Sequence, residues 1–236
     1  MMRITILGTR GEVECSTPYH SRHSGVLIDD TLLLDLGERE YLNHRPKAIL
    51  ITHLHPDHAF FVRDEKEPFP LETPIFGPEK TMNADIKILD EKKNIAGYTV
   101  HPIPTHHSIK VKSQAYLITK ESYKLLYTGD MIWINKEYHP LFEGLDLVIT
   151  EGSYLRKGGL VRRDKRTGKI YGHAGIPDLI RLFKDYCDHL VLIHFGSWFY
   201  KDVSQARKKI KEFAKQNGLT ITPGYDNMKV EKERED

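Results

Sequence analysis

Cysteine is nearly absent from this chain: 236 residues contain two, Cys15 and Cys187, far apart in sequence. That argues against a disulfide framework and against a cysteine-based zinc site, and it favours a reducing compartment. No apolar run approaches the roughly 20 residues that a membrane-spanning helix needs. The opening run Ile4-Thr5-Ile6-Leu7 is too short for the apolar core of a secretory signal. A cytoplasmic location without a membrane partner is therefore expected. Neither sign of charge dominates. A formal net charge of +2 does not announce nucleic acid or membrane, so any case for an anionic partner has to come from local clusters. Glycine/serine linkers and fixed-period repeats are also missing. One domain over residues 1–236 is the simplest organisation, with the fully charged end, 231–236, expected to fray.

Histidine, by contrast, is plentiful, with thirteen residues, several on short apolar segments. It is the commonest metal ligand and a general acid or base near neutral pH. Around these histidines the chain reads as short strands at 3–7, 25–28, 31–35, 48–52, 114–119, 124–128, 146–150 and 190–194. They are rich in Ile, Val, Leu, Tyr and Thr, and turn residues bound most of them. Helical spacing of apolar residues appears at 177–187 and 203–216. The early strands follow closely, as in an antiparallel meander, and the later ones alternate with helices. That order predicts two sheets flanked by helices, a layered α/β sandwich.

The most informative segment is 47–58, where an apolar strand runs directly into His53, His55, Asp57 and His58. His53 and His55 are two residues apart, so in extended backbone they project to one side. Asp57 and His58 follow Pro56, a residue suited to opening a helix. Four donors thus converge where a strand is expected to meet a helix N-terminus. Imidazole and carboxylate suit Zn2+ and other divalent first-row metals.

This His-x-His-x-Asp-His arrangement resembles the signature of the metallo-β-lactamase superfamily. The resemblance continues in order along nearly the whole chain, through Leu33-Leu34-Asp35-Leu36-Gly37, Thr105-His106-His107-Ser108-Ile109, Leu126-Tyr127-Thr128-Gly129-Asp130 and Val191-Leu192-Ile193-His194-Phe195. It implies a four-layer αββα sandwich with two divalent metal ions. His53, His55 and a downstream histidine would hold one, Asp57, His58 and His194 the other, and Asp130 would bridge them. His107 is preferred over His106 as the downstream ligand, because His107-Ser108-Ile109 resembles the form of this motif in the ribonuclease J and Z branches. His101 is read as an ordinary strand residue. Zn2+ is the favoured metal, although the same ligands accept Mn2+ or Fe2+. A hydroxide held between the two ions would be available near neutral pH.

Glu151-Gly152-Ser153-Tyr154 and Gly172-His173-Ala174 resemble the Glu and His pair outside the metal shell of ribonuclease Z-like enzymes. The likeness implies that His173, expected at the start of a helix, protonates a leaving oxygen while Glu151 orients it, with Asp57 counted beside them among the catalytic residues. Between these motifs, residues 156–169 carry seven basic side chains and one acidic. Arg162, Arg163, Lys165 and Arg166 are candidates for contact with an anionic small molecule or a single-stranded nucleic acid; the bland alternative is a solvated loop loosened by Gly158, Gly159 and Gly168. The Gly-His-Thr-Pro-Gly form of the second histidine motif, familiar from glyoxalase II-like members, is missing, which counts against thioesters. One strand hairpin separates His107 from Asp130, with no room for the tRNA-gripping insertion of ribonuclease Z. A compact metal-dependent phosphodiesterase, like the cyclic-phosphodiesterase branch, is the resulting expectation. The alternatives are a lactonase, a thioesterase, or a ribonuclease without that insertion. Oligomeric state is not set by the sequence.

Overall fold

Strands buried on both faces need apolar residues at every position, and the apolar runs 32–34, 48–50 and 190–193 become central parallel strands. The computed structural model describes residues 2–63 and 72–230; the expected fraying at 231–236 lies outside the described residues. In chain order the strands are β1 (Ile4–Gly8), β2 (Gly25–Ile28), β3 (Leu32–Leu34), β4 (Ala48–Leu50), β5 (Ile75–Gly77), β6 (Ile86–Ile88), β7 (Lys93–Ile95), β8 (Tyr98–His106), β9 (Gln114–Lys120), β10 (Tyr123–Tyr127), β11 (Trp133–Ile134), β12 (Leu147–Gly152), β13 (Leu160–Arg163), β14 (Ile170–His173), β15 (His189–Phe195), β16 (Thr220–Pro223) and β17 (Met228–Val230). The helices are α1 (Ile176–Phe183), α2 (Ser197–Tyr200) and α3 (Val203–Asn217). Among the described residues, one sheet runs β17-β1-β2-β3-β4-β5-β6, and a second runs β11-β8-β9-β10-β12-β15-β16 with β7 beside β8. β3 to β6 are parallel neighbours, and so are β10, β12, β15 and β16.

Side-chain alternation sorts each strand between two cores. Leu32, Leu34, Ala48 and Leu50 from the first sheet meet Leu125, Tyr127, Ile149, Val191 and Ile193 from the second, forming the layer between the sheets. The intervening residues Leu126, Val148, Leu190 and Leu192 turn outward under α1 and α3. α3 is fixed at both ends: Asp202 accepts a bond from the Gln205 amide, and Gly218, left-handed at φ 65°, closes the C-terminus.

The outer face of the first sheet carries Leu33, Ile49 and Ile51, covered by Tyr41 and Phe61. Among the described residues this cover is 3-10 structure, Arg39–His44 and Phe60–Val62, rather than α-helix. The helix expected after Pro56 is therefore not formed: 56–58 is a turn followed by that short 3-10 segment. The helix expected at 177–187 runs instead over Ile176–Phe183, capped by Gly175. His173 consequently ends β14 and does not open a helix. Residues 156–169, expected as a loose loop, contain one arm and the tip of an antiparallel hairpin: β13 pairs with β14 from Leu160–His173 to Arg163–Ile170. Among the described residues no helix is long and apolar enough to cross a membrane.

Candidate active site

The C-terminal ends of the parallel strands from both sheets open on one spot, the place where open α/β sheets bind ligands. Asp35 follows β3, the segment His53–His58 follows β4, Asp130 follows β10, and Glu151 and His194 lie near the ends of β12 and β15. His53, His55 and His107 lie together, as do Asp57, His58 and His194, and Asp130 is close to both groups. All but His55 are buried. His107, rather than His106, faces this cluster. The His106 ring is exposed and lies 2.8 Å from the Asn135 side-chain oxygen. His101 is a half-buried residue of β8, outside the cluster.

Hydrogen bonds around the cluster fix which imidazole nitrogen carries a proton. The Gly172 carbonyl can only accept, so His107 donates from Nδ1 (2.9 Å) and keeps a lone pair on Nε2. Thr52 Oγ1 donates to Asp35, so it accepts from His53 Nδ1 (3.0 Å), which again leaves Nε2 unprotonated. His58 Nδ1 donates to Asp35 Oδ2 (2.7 Å). Ser153 Oγ donates to the His194 carbonyl and accepts from His194 Nδ1 (2.9 Å).

Four imidazole lone pairs are therefore aimed inward, and they face one another or carboxylates. His53 Nε2 and His107 Nε2 lie 3.0 and 3.1 Å from His55 Nδ1. His194 Nε2 lies 2.7 Å from Asp57 Oδ2. His58 Nε2 and Asp130 Oδ1 are 3.4 Å apart, buried, and without hydrogen-bond partners. Asp130 Oδ2 is 3.9 and 3.8 Å from His53 and His107, while Oδ1 is 3.3 Å from His194. Two lone pairs converging on His55 Nδ1, one facing a carboxylate oxygen, and the orphaned pair His58 Nε2 and Asp130 Oδ1 together call for positive charge at the centre. Divalent cations fit this donor set, whose two groups share one carboxylate.

The electrostatics agree. Burial, reinforced by neighbouring imidazoles, holds His53 well below the usual histidine range and His55 down at about 4. Burial also lowers His107. Neutral imidazoles are what a metal requires. Burial opposes charge on His58 and His194 as well, but the nearby carboxylates, Asp130 first, outweigh it and raise both. Protons would occupy the place of a cation there. Asp57 and Asp130 are held low against the opposing effect of burial, Asp57 chiefly by His58 and Asp130 chiefly by His194.

His173 stands beside this cluster, with Nδ1 2.8 Å from Glu151 Oε2 and 3.7 Å from Asp130 Oδ2. Glu151 is buried and its other oxygen accepts the Met131 amide at 2.7 Å. Burial disfavours a charged His173, but the charge and hydrogen bond of Glu151 raise it to about 9. His173 borders a cavity of about 450 Å3 whose walls also include His55, Asp57, Asp130 and His194. Arg162, Arg163, Lys165 and Arg166 do not line it. Arg163 borders a separate groove with Lys110, Lys112 and Lys169. By strand register, Arg162 shares the hairpin face of His173.

Sequence reasoning gave no role to several supports. Asp35 is buried and takes bonds from Thr52, Tyr127 and His58. Its signal was a carboxylate directly ending an all-leucine strand. Ser153 orients His194, and Gly172 orients His107; the Gly172 amide also donates to the His107 carbonyl at 2.7 Å. Gly172 adopts φ 123°, and a Cβ there would meet the Leu160 carbonyl oxygen.

No protein-family model matches the chain. Solved structures of similar shape include the metallo-β-lactamase fold protein YhfI from Bacillus subtilis, with TM-score 0.70, 20% identity, and 98% and 99% of the two chains covered. A diphosphatase of the PhnP family aligns with TM-score 0.68 and 17% identity over 99% and 98% of the chains. The short form of human tRNase Z aligns with TM-score 0.62 and 18% identity over 97% and 98%. A hydroxyacylglutathione hydrolase from Yersinia enterocolitica is 37% identical over 93 residues, a match spanning 36% of this chain and only 36% of that relative. The chain has the metallo-β-lactamase fold, as the resemblance implied.

The Asp35–His58 bond generates a prediction. All groups facing Asp35 are donors, so Asp35→Asn brings an amide donor into contact with a donor. Either a buried group loses its partner or His58 changes tautomer and presents N–H to the cluster. Metal affinity should fall about 10- to 100-fold. Chelator competition with zinc or cobalt measures this; affinity equal to that of the parent protein would remove Asp35 from the list of supports.

Proposed function

We propose that the chain is a metal-dependent hydrolase of the metallo-β-lactamase superfamily that cleaves phosphodiesters. The observation that carries this reading is the pairing of two things in one cavity. One is a cluster of inward lone pairs around Asp130; the other is a histidine, His173, bonded to a buried glutamate at its edge. His53, His55 and His107 would hold one divalent cation and Asp57, His58 and His194 the other, with Asp130 shared between them. The bound cations would supply a water ionised near neutral pH and stabilise negative charge on the substrate. Asp57 and Asp130 would supply the negative charge that offsets two such cations. His173 uses Nδ1 to bond Glu151, which leaves Nε2 to give its proton to the departing oxygen as the phosphorus–oxygen bond breaks. An alkoxide departs poorly without such a proton. The structural likeness to a PhnP-family diphosphatase and to tRNase Z supports this direction.

A second reading, hydrolysis of a thioester or lactone, draws on the partial match to hydroxyacylglutathione hydrolase. The His173–Glu151 pair favours the first reading over a thioester, because a thiolate leaves without protonation far more readily than an alkoxide does; a lactone also expels an alkoxide, so it is separated by substrate assay rather than by this pair. Zinc is the favoured ion, and Mn2+ or Fe2+ suit the same ligands. The substrate is an anionic small molecule or a single-stranded nucleic acid. A reducing, cytoplasmic setting accords with exposed Cys15 and with buried Cys187, whose thiol contacts the His189 carbonyl.

Metal removal tests the reading. Elemental analysis after reconstitution should give two ions per chain, and chelation should abolish turnover of bis-p-nitrophenyl phosphate until metal is restored. A single ion at saturation, or turnover only of lactones and thioesters, would contradict it.

For the proton donor, His173→Ala should leave metal content intact and lower kcat about 10²- to 10⁴-fold on an alkyl-leaving-group diester. The loss should shrink with p-nitrophenolate as leaving group. Loss of an ion in this variant would make His173 a ligand, since Asp130, Glu151, His173 and His194 also lie close enough to share one.

The basic hairpin lies outside the cavity, so its role would be long-range attraction. Neutralising Arg162, Arg163, Lys165 and Arg166 together should lower kcat/KM and flatten its dependence on ionic strength. Identical kinetics across a salt series would leave the hairpin as solvated surface.

A further inference from the structure

The cavity over the cluster divides sharply by chemistry. One part of its lining is four of the proposed ligands, His55, Asp57, Asp130 and His194, with His173. The rest is Gly11, Glu12, Val13, Pro56, Ser153, Tyr154, Gly196, Ser197 and Trp198. Among the described residues no lysine or arginine lines it, and the one charged group beyond the cluster is Glu12. That carboxylate pairs with Arg63 at 3.0 Å at the exposed rim. Any negative charge carried beyond the reacting phosphate would find no countercharge inside this cavity, only an acidic side chain.

What the rest of the lining does offer is aromatic surface. Trp198 stands on α2, directly after the strand that carries His194. Its indole N–H is spent on the Gly152 carbonyl at 2.9 Å. Phe195 and Phe199 meet the ring nearly at right angles, at centroid distances of 6.4 and 5.6 Å. The indole is thus held by three contacts while it still borders the cavity, with no hydrogen-bonding capacity left to recognise a ligand except through its π surface. Tyr154 also lines the cavity, its ring 5.9 Å from that of His173. About 450 Å3 accommodates one small-molecule group beside the reacting phosphate, not a folded polymer.

We infer that Trp198, with Tyr154, recognises one neutral planar ring on the substrate. The cavity therefore selects a compact, singly charged phosphodiester bearing an aryl group or a nucleobase over an extended polyanion. This inference rests on the phosphodiesterase reading and names its substrate class. Aryl esters and nucleotides share the recognised chemistry, a flat π face next to a phosphate.

Equilibrium binding separates these cases without turnover. Metal-loaded protein is titrated with methyl phosphate, phenyl phosphate, thymidine 5′-phosphate and a thymidine decanucleotide, following both heat and indole fluorescence. At least one ring-bearing monophosphate should bind about ten-fold or more tightly than methyl phosphate and quench the indole signal, in keeping with the strength of ring stacking on aromatic side chains. Preference for phenyl phosphate would assign an aryl ester, and preference for thymidine 5′-phosphate a nucleotide. Trp198→Ala, at unchanged metal content, should cancel the advantage of the ring, and Trp198→Phe should keep most of it. Equal affinity for methyl and ring-bearing phosphates would overturn the inference. So would a loss in Trp198→Ala as large for methyl phosphate, or a decanucleotide that binds more tightly than thymidine 5′-phosphate. Turnover of bis-p-nitrophenyl phosphate is assayed on the same preparation. Its absence would defeat the phosphodiesterase reading, whereas turnover without any ring preference would defeat this inference alone.

Discussion

The carboxylate of Asp35 is where the two sheets meet chemically. It follows β3 directly, lies fully buried, and accepts from the Thr52 amide and hydroxyl, the Tyr127 hydroxyl and His58 Nδ1. Thr52 follows β4 in the same sheet, whereas Tyr127 ends β10 in the other. A buried carboxylate is costly unless its acceptor sites are filled, so these donors have little freedom to move. The orientations of two proposed ligands follow from that. His58 is turned so that Nε2 faces Asp130, and Thr52, anchored on Asp35, accepts from His53 and turns its Nε2 inward. Asp35 adopts φ 57° and His194 φ 53°, left-handed values that Asp and His reach more readily than most side chains and that the surrounding bonds help sustain.

The parts of this arrangement that lie along one strand were legible in the sequence. The apolar runs ending in Asp35, His53, Asp130 and His194 are strands buried on both faces, and a polar residue at the end of such a run has to be at the strand's mouth. The parts that depend on packing between distant segments were not legible. Nothing near Pro56 shows that the following turn will be 3-10, because that is decided by how Phe61 covers Ile49 and Ile51. The hairpin of β13 and β14 reads as a loose loop because its glycines and charges look like solvated chain, while its pairing register and its bonds to His107 are long-range. Adjacent His106 and His107 offer no local criterion either. The resemblance to the His-Ser-Ile form selected the second of them, and in the structure it is Gly172, 65 residues downstream, that engages its ring.

Gly172 also makes the hairpin more than an appendage. Its carbonyl and amide bond both His107 Nδ1 and the His107 carbonyl, and its neighbour is His173. One backbone segment therefore orients a proposed ligand and places the proposed proton donor. A displacement of the hairpin would be felt by both at once. Glu151 limits such displacement from the opposite side, since it binds His173 with one oxygen and the Met131 amide, just after Asp130, with the other. His173, Asp130 and His107, the proposed donor, shared carboxylate and ligand, are in this way referred to a common frame.

Charge around the site is arranged over two ranges, and the distinction bears on what the fold can bind. The basic side chains of the hairpin lie outside the cavity, where solvent and salt screen them beyond about 10 Å at ordinary ionic strength. They can raise the local concentration of an anion, but at that range they discriminate poorly among anions. The cavity itself supplies short-range charge at the cluster and at His173, with Glu12 the one further charged group among its described lining residues, and elsewhere presents Trp198, Tyr154, Val13 and Pro56. Selection inside it consequently falls on shape and on the π face, for which a neutral ring competes better than a second phosphate. Attraction and discrimination are thereby assigned to different surfaces. A substrate has to satisfy both, with one charge to be drawn in and one flat, uncharged group to be retained.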